Sequence, residues 1–399
     1  MPTRKPSMFR FASLKKMWPV ILTLGLIDGA SASARFTPSD GGFVVLEKSA
    51  HADSGLRSAF LSAARNAPDA GAAARTAREL IERARNEREP RFFGYAEAII
   101  QPLLRGVGAA NPELLLLQAD IQQNRHEFTT AIATLDRAIQ AQPHDPRAYL
   151  QRAGVRLVRG EFEAARNDCR TLITGGELAI GSVCMAQAAG ATGSSERAEA
   201  MIRALLSNGQ QFDTATRAWA MAALADLERR HAADGDAETL LRQAVEQAPT
   251  DDSIRCALAD LLLDKAANRE VIALTTVNRP SLALLLRTAI AEHRLKDVRA
   301  AETSRRFLEL IEVDRVRSER AHLREEALYA LEVRGDSRAA AVLAVANFKL
   351  QRETADIRLL ARSASAAGDT AALRNLKRWV VSTGYRDQSI EPILRVTTI

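Results

Sequence analysis

Residues 112–145 read PELLLLQADIQQNRHEFTTAIATLDRAIQAQPHD and residues 146–177 read PRAYLQRAGVRLVRGEFEAARNDCRTLITGGE. Laid over each other at an offset of 34, Pro112 pairs with Pro146, Leu115 with Tyr149, Ala119 with Ala153, Glu127 with Glu161, Phe128 with Phe162 and Ala131 with Ala165. These positions carry different packing duties. Ala119 and Ala153 let a first helix approach a second, the two phenylalanines fill the gap between hairpins, and Ala131 and Ala165 allow close crossing. A helical hairpin is too thin to bury its own apolar faces, so it must bury them on the next, and repetition at this interval is what such stacking leaves behind.

The rhythm continues more faintly on both sides. Gly193, Ala198 and Ile202 follow Gly160, Ala165 and Cys169 by 33 residues. A fourth unit holds Trp219, Ala223, Asp234-Gly235-Asp236, Ala237, Ala244 and Pro249, and helical stretches at 252–265 and 270–277 form an eroded fifth ending at Pro280. No proline occurs from Ser281 to Glu391. There Gly335-Asp336 recurs as Gly368-Asp369, with Ala339 and Leu343 matching Ala372 and Leu376, so that Gly ends one helix and Asp caps the next. Upstream, 53–66, 69–88 and 90–105 carry helical patterning. The expectation is an all-α solenoid of degenerate helical hairpins over 51–385, with 386–399 as a cap or tail and Ile390, Ile393, Leu394 and Val396 as its apolar contacts.

Over 112–177 the pattern resembles the tetratricopeptide repeat, a helix-turn-helix unit stacked into a right-handed superhelix. Pro112 through Ala119, His126-Glu127-Phe128, Ala131, Leu135, Ala138 and Pro143 follow it in order, as do Tyr149, Ala153, Gly160-Glu161-Phe162 and Ala165. Gln122 and Arg156 depart from it at a position usually aromatic, and Glu177 stands where a closing proline is usual. The resemblance implies a concave groove lined by first helices and taken by a protein or peptide partner, with Glu113, Leu116, Asp120, Gln123, Arg147, Leu150 and Leu157 facing it. Relatives that clamp chaperone tails use Lys, Arg and Asn there, and Asp120 and Gly154 do not fit that scheme.

Composition agrees with helices. Of 399 residues only 21 are Gly and 13 Pro, and aromatics make up 5%, which disfavours turn-rich β architectures. The net charge of +6 misleads, because Arg4, Lys5, Arg10, Lys15 and Lys16 against Asp28 place +4 in the first 34 residues and leave +2 for the rest. That stretch has the layout of a secretory signal: a basic region, the apolar run 20–27, and Ala32-Ser33-Ala34 before Arg35, with Ala30-Ser31-Ala32 as a second small-residue site. Cleavage between Ala34 and Arg35 is expected, which puts the protein in the periplasm or outside the cell. No stable membrane span remains, since the apolar run is shorter than the roughly 20 residues a spanning helix needs. An uncleaved amphipathic tail on a cytosolic protein is the alternative. Residues 35–50, with Thr37-Pro38-Ser39-Asp40-Gly41-Gly42, read as an extended linker or arm.

Chemistry finds few footholds. There is no G-x-S-x-G elbow and no P-loop, and Gly106 and Gly108 lack the rest of a dinucleotide loop. Six histidines are scattered without the spacing of a shared metal site. No catalytic residue, metal or cofactor is expected. The dense charges between Val298 and Arg334 alternate in sign, as on a solvated helix face, whereas nucleic acid would ask for one sign with interleaved aromatics. Cys169, Cys184 and Cys256 leave two readings open: Cys169 and Cys184 fall on neighbouring helices and can pair in an oxidising compartment, or all three are buried thiols. The expected function is a non-catalytic exported scaffold for a protein partner. The alternatives are a cell-envelope polysaccharide assembly or export factor, a helical enzyme of unrecognised type, and a cytosolic regulator.

Overall fold

The computed structural model describes residues 69–395 except 88, 107, 208–211 and 317–321. The signal, the arm, the pattern at 53–66 and residues 396–399 lie outside the described residues.

Nineteen helices and no strand are found among the described residues. They are α1 (Ala70–Asn86), α2 (Arg91–Leu104), α3 (Pro112–Asn124), α4 (Phe128–Ala141), α5 (Pro146–Val158), α6 (Phe162–Thr174), α7 (Leu178–Gly190), α8 (Ser195–Ser207), α9 (Thr214–Arg230) and α10 (Asp234–Gln247). The series continues with α11 (Asp252–Asp264), α12 (Asn268–Thr275), α13 (Leu282–Leu295), α14 (Ala300–Val316), α15 (Leu323–Glu332), α16 (Ser337–Leu350), α17 (Thr354–Ala367), α18 (Thr370–Thr383) and α19 (Glu391–Arg395). Consecutive helices pair into nine hairpins, from α1 with α2 to α17 with α18, and each first helix also packs on the first helix of the next hairpin. The fold is an all-α solenoid of stacked helical hairpins. Its interior is divided into five buried clusters along the chain, as expected of stacked units.

Local sequence explains the helix starts. Asn111 and Asp145 cap α3 and α5 through side-chain oxygens and are followed by Pro112 and Pro146 at the first helical position, where the missing N–H costs nothing. Asp213, Asp251, Ser281, Asp336 and Asp369 cap α9, α11, α13, α16 and α18 in the same way. Each hairpin from the second onward turns through one left-handed residue: His126, Gly160, Gly193, Ala232, Ala266, Lys296, Gly335 and Gly368. Those turns fix the unit boundaries that the outer repeats blur.

One feature exceeds a simple stack. Phe162 and Ala191, from the third and fourth hairpins, belong to the same buried cluster as Ile357, Leu376, Tyr385, Ile390 and Leu394. The carboxy-terminal hairpins have come round to meet the middle of the chain. Arg352 N–H donates to Val158 O at 2.6 Å and its Nη1 to Arg159 O at 2.7 Å, while Arg386 N–H reaches Ala191 O and Gln388 N–H reaches Arg230 O. The acceptors are carbonyls at the ends of α5, α7 and α9, groups that a helix cannot satisfy internally. Residues 386–395 therefore cross to other hairpins instead of lying on the last one alone.

Candidate functional site

The first helices α9, α11, α13, α15 and α17 are stitched side by side by ion pairs, part-buried at Arg287 and Arg324 and exposed at Arg229 and Arg294. Arg229 on α9 meets Asp264 on α11 at 2.6 Å, and Arg287 on α13 holds Asp260 on α11 through two bonds of 2.9 Å. Arg294 on α13 meets Glu332 on α15 at 2.6 Å, and Arg324 on α15 grips Asp356 on α17 at 2.6 and 2.7 Å. The circuit closes from α17 back to α9: Arg358 donates to Arg229 O at 2.9 Å, and Arg230 to Thr354 Oγ1 at 2.9 Å. Five first helices thus ring a lumen of about 280 Å³, and the α5–α7 side of the chain adds Leu157, Phe162 and Ala191 to its wall.

Most of the charge in this wall is paired, while Arg352 is held by the Val158 and Arg159 carbonyls instead of a carboxylate. Burial works against the charged form of Arg287, but Asp260 more than restores it, so its pKa rises. Burial likewise opposes Arg230, and Asp226, Tyr385 and Asp387 together outweigh it. Glu353 is different: burial pushes its carboxyl up to about 7 against the pull of Arg324. Cys256 borders the lumen, yet burial raises its thiol to about 12, far from the thiolate that reactive cysteines need. An arrangement of ion pairs, apolar wall and neutral thiol can hold a ligand.

The residues expected in the groove are dispersed. Leu157 alone reaches the lumen. Leu116 and Asp120 were expected on an exposed face and are instead 1% and 5% exposed. The cause is the first hairpin, whose helix α1 packs on α3 and places Arg85 Nη2 2.7 Å from Asp120 Oδ1. Burial raises the Asp120 carboxyl and Arg85 opposes that shift. Glu113 sits between Arg78 and Arg147, the latter at 2.8 Å, and Arg147 also pairs with Asp145 at 2.7 Å. Gln123 turns back to Ala119 O at 3.3 Å, and half-buried Leu150 packs on a core cluster. Most of the lumen arginines and carboxylates lie in the eroded repeats, on the first helices α9, α11, α13, α15 and α17.

Ser195 Oγ lies 2.7 Å from His231 Nε2, and Glu199 Oε1 lies 2.9 Å from His231 Nδ1, an order that invites comparison with a proton relay. The comparison fails on geometry. Ser195 is 8% exposed and is not part of the lumen wall, and Glu199 Oε1 lacks the alignment of a hydrogen bond. The trio fastens the start of α8 to the end of α9. Among the described residues no group of three or more His, Cys, Asp or Glu is placed to hold a metal ion, and no helix is long and apolar enough to cross a membrane.

Cys169 on α6 and Cys184 on α7 form a disulfide with Cα atoms 5.5 Å apart, while Cys256 is free. It closes a 15-residue separation, for which loop entropy gives about 3 kcal/mol. Cys169→Ala with Cys184→Ala is expected to lower the unfolding free energy by about that amount in urea titration. Equal midpoints for the double variant and the oxidised protein would remove the bond from the stability of this hairpin pair.

No protein-family model matches the chain, and no curated protein matches it. Among solved structures, a tetratricopeptide repeat protein from Parabacteroides merdae is 19% identical over 61% of this chain and 99% of its own, with a TM-score of 0.39. The TPR domain of P58(IPK) is 11% identical over 81% of this chain and 96% of its own, with a TM-score of 0.25. At such values the likeness carries no weight, and the fold rests on the hairpin pairing itself.

Proposed function

We propose that the chain is an exported, non-catalytic scaffold that takes a segment of another protein into the lumen of its helical ring. The observation that carries this reading is the continuous layer of first helices around one space whose charge is mostly paired. At about 280 Å³ the lumen has the size of a small pocket, so it accepts an extended segment or a few side chains and not a folded domain. Matched Arg and carboxylate pairs favour peptide groups, which present donors and acceptors of both signs. Export is supported by the signal-like first 34 residues and by a buried disulfide, a bond that persists in oxidising compartments.

A photo-crosslinking side chain at Leu157, on the lumen wall, tests the reading against the same group at exposed Val298. In envelope extract the Leu157 position should yield a discrete protein adduct, and the Val298 position should not. Adducts of equal pattern from both positions, turnover by the purified chain, or glycan recovered in place of protein would each overturn it. Amino-terminal sequencing decides export, with an intact Met1 on the mature protein ending that part of the proposal.

A further inference from the structure

The near balance of charge along the chain conceals its distribution over the second helices. The second helix α10 carries Asp234, Asp236, Glu238 and Glu246 against Arg242, and α14 alternates Glu302, Glu309 and Glu312 with Arg305, Arg306 and Arg315. The last two second helices break this habit. Neither α16 nor α18 contains an acidic residue, while together they hold Arg338, Lys349, Arg374, Lys377 and Arg378.

These bases share one surface. Phe348 near the end of α16 meets Trp379 near the end of α18 edge-on at 5.3 Å, so the two helices run side by side in the same sense there. Arg338, Lys349, Arg374 and Arg378 are exposed, and Lys377 is half-buried. Between them stand Val342 and Val381, which are 71% and 69% exposed. On α16 the positions 338, 342 and 349 fall on one helical face about 16 Å long. The guanidinium of Arg374 reaches the neutral Thr370 hydroxyl at 3.4 Å, and that of Arg378 the neutral Asn375 side chain. Of the nearest carboxylates, Asp336 caps α16 and pairs with Arg334, and Asp369 caps α18. Arg338, Lys349, Arg374 and Arg378 thus face a single uncompensated acid, Asp369.

We propose that this outer face of α16 and α18 docks the chain on an anionic phospholipid surface. Bases spread over two adjacent helices match a surface of many headgroup phosphates, and the two valines project at the depth of the acyl boundary. An acidic peptide would need a groove to hold its register, which this outer face does not supply. The lumen lies on the other side of the first helices and is left free, so the inference stands apart from the scaffold reading.

The test is co-sedimentation of the full chain with vesicles of phosphatidylcholine alone and of phosphatidylcholine containing phosphatidylglycerol. Binding is expected to the acidic vesicles only, and to fall at least tenfold at about 1 M salt, where screening reaches ~3 Å. Arg374→Glu with Arg378→Glu should lose tenfold or more at low salt, with thermal unfolding unchanged because both side chains are exposed. Val342→Ser with Val381→Ser should weaken the salt-resistant remainder, and Arg306→Glu on α14 should change nothing. Equal binding to both vesicle types, full binding by the charge-reversed variant, or capture of an acidic protein by this face without vesicle binding would each overturn the lipid assignment.

Discussion

Arg324→Met is expected to lower the unfolding free energy by about 3–5 kcal/mol, the cost of leaving a buried charge without its partner. Arg324 spans from α15 to α17, holding Asp356 with both ends of its guanidinium and touching Glu353 as well. The Asp356 side chain is fully buried, and it also accepts from Asn347 Nδ2 at 2.6 Å, the Glu353 N–H at 2.9 Å and Gln351 Nε2 at 3.5 Å. Those bonds were built around a carboxylate whose charge Arg324 neutralises. Removing the arginine sets Asp356 and Glu353 side by side with no cation in reach of both. Arg305→Met is the contrast: that side chain is 60% exposed on α14, and losing its solvent-screened pairs with Glu302 and Glu309 should leave the unfolding midpoint nearly unchanged. Urea titration of the two variants distinguishes them, and losses of equal size would refute the buried network as a source of stability.

The same site sets a dependence on pH. Glu353 has an ordinary value of 4.5 and is pushed to about 7 in the fold, by burial first and by the like charge of Asp356 as well. A carboxyl raised by folding contributes stability that is present below 4.5 and disappears as pH rises through about 7. Asp226 runs the other way, held below its ordinary 3.8 by Arg230 and Arg358 despite burial, so it titrates beneath that window. The native protein should therefore lose stability as pH rises from 4.5 to about 7, and Glu353→Gln should flatten that slope.

Which parts of the molecule could be read from sequence follows from how far apart the deciding residues lie. The pairing of 112–145 with 146–177 was legible because Ala119, Phe128 and Ala131 perform local work within and between adjacent hairpins, whereas Phe162, the counterpart of Phe128, also packs on the carboxy-terminal hairpins. Farther along, the turn that marks each unit is occupied by His126, Ala232, Ala266 or Lys296 as well as by glycine, so a search for glycine finds only half of the boundaries. Asp120 was misplaced on the surface because its burial depends on Arg85, 35 residues upstream in a hairpin with no clear repeat signature. The lumen itself had no local sign. Arg352 closes on Arg159 across 193 residues, and Arg358 on Arg229 across 129, which no periodicity of 33 or 34 encodes.

Gly160→Ala is expected to cost about 2–5 kcal/mol and to open the ring, because two separate penalties fall on one methyl group. Gly160 turns between α5 and α6 with φ +70°, a conformation that strains any residue bearing a Cβ. That Cβ would also lie 2.8 Å from Trp379 Cζ2 and 3.3 Å from the Arg352 side chain, at the seam where the last hairpins meet the third. The indole cannot yield easily, since Phe348, Phe162 and Tyr385 surround it at centroid distances of 5.3, 6.2 and 5.5 Å. Gly368→Ala isolates the backbone part: φ is +69°, and nothing lies within 4 Å of its Cβ position, so about 1–2 kcal/mol is expected. Scattering and amide exchange should then report a larger radius and faster exchange at 384–395 in Gly160→Ala alone. Equal losses in the two variants, with unchanged radius, would show that the seam adds nothing to closure. An opened ring would separate α17 from α9 and remove one wall of the lumen, so the same variant should also lose the Leu157 adduct while keeping the vesicle binding of α16 and α18.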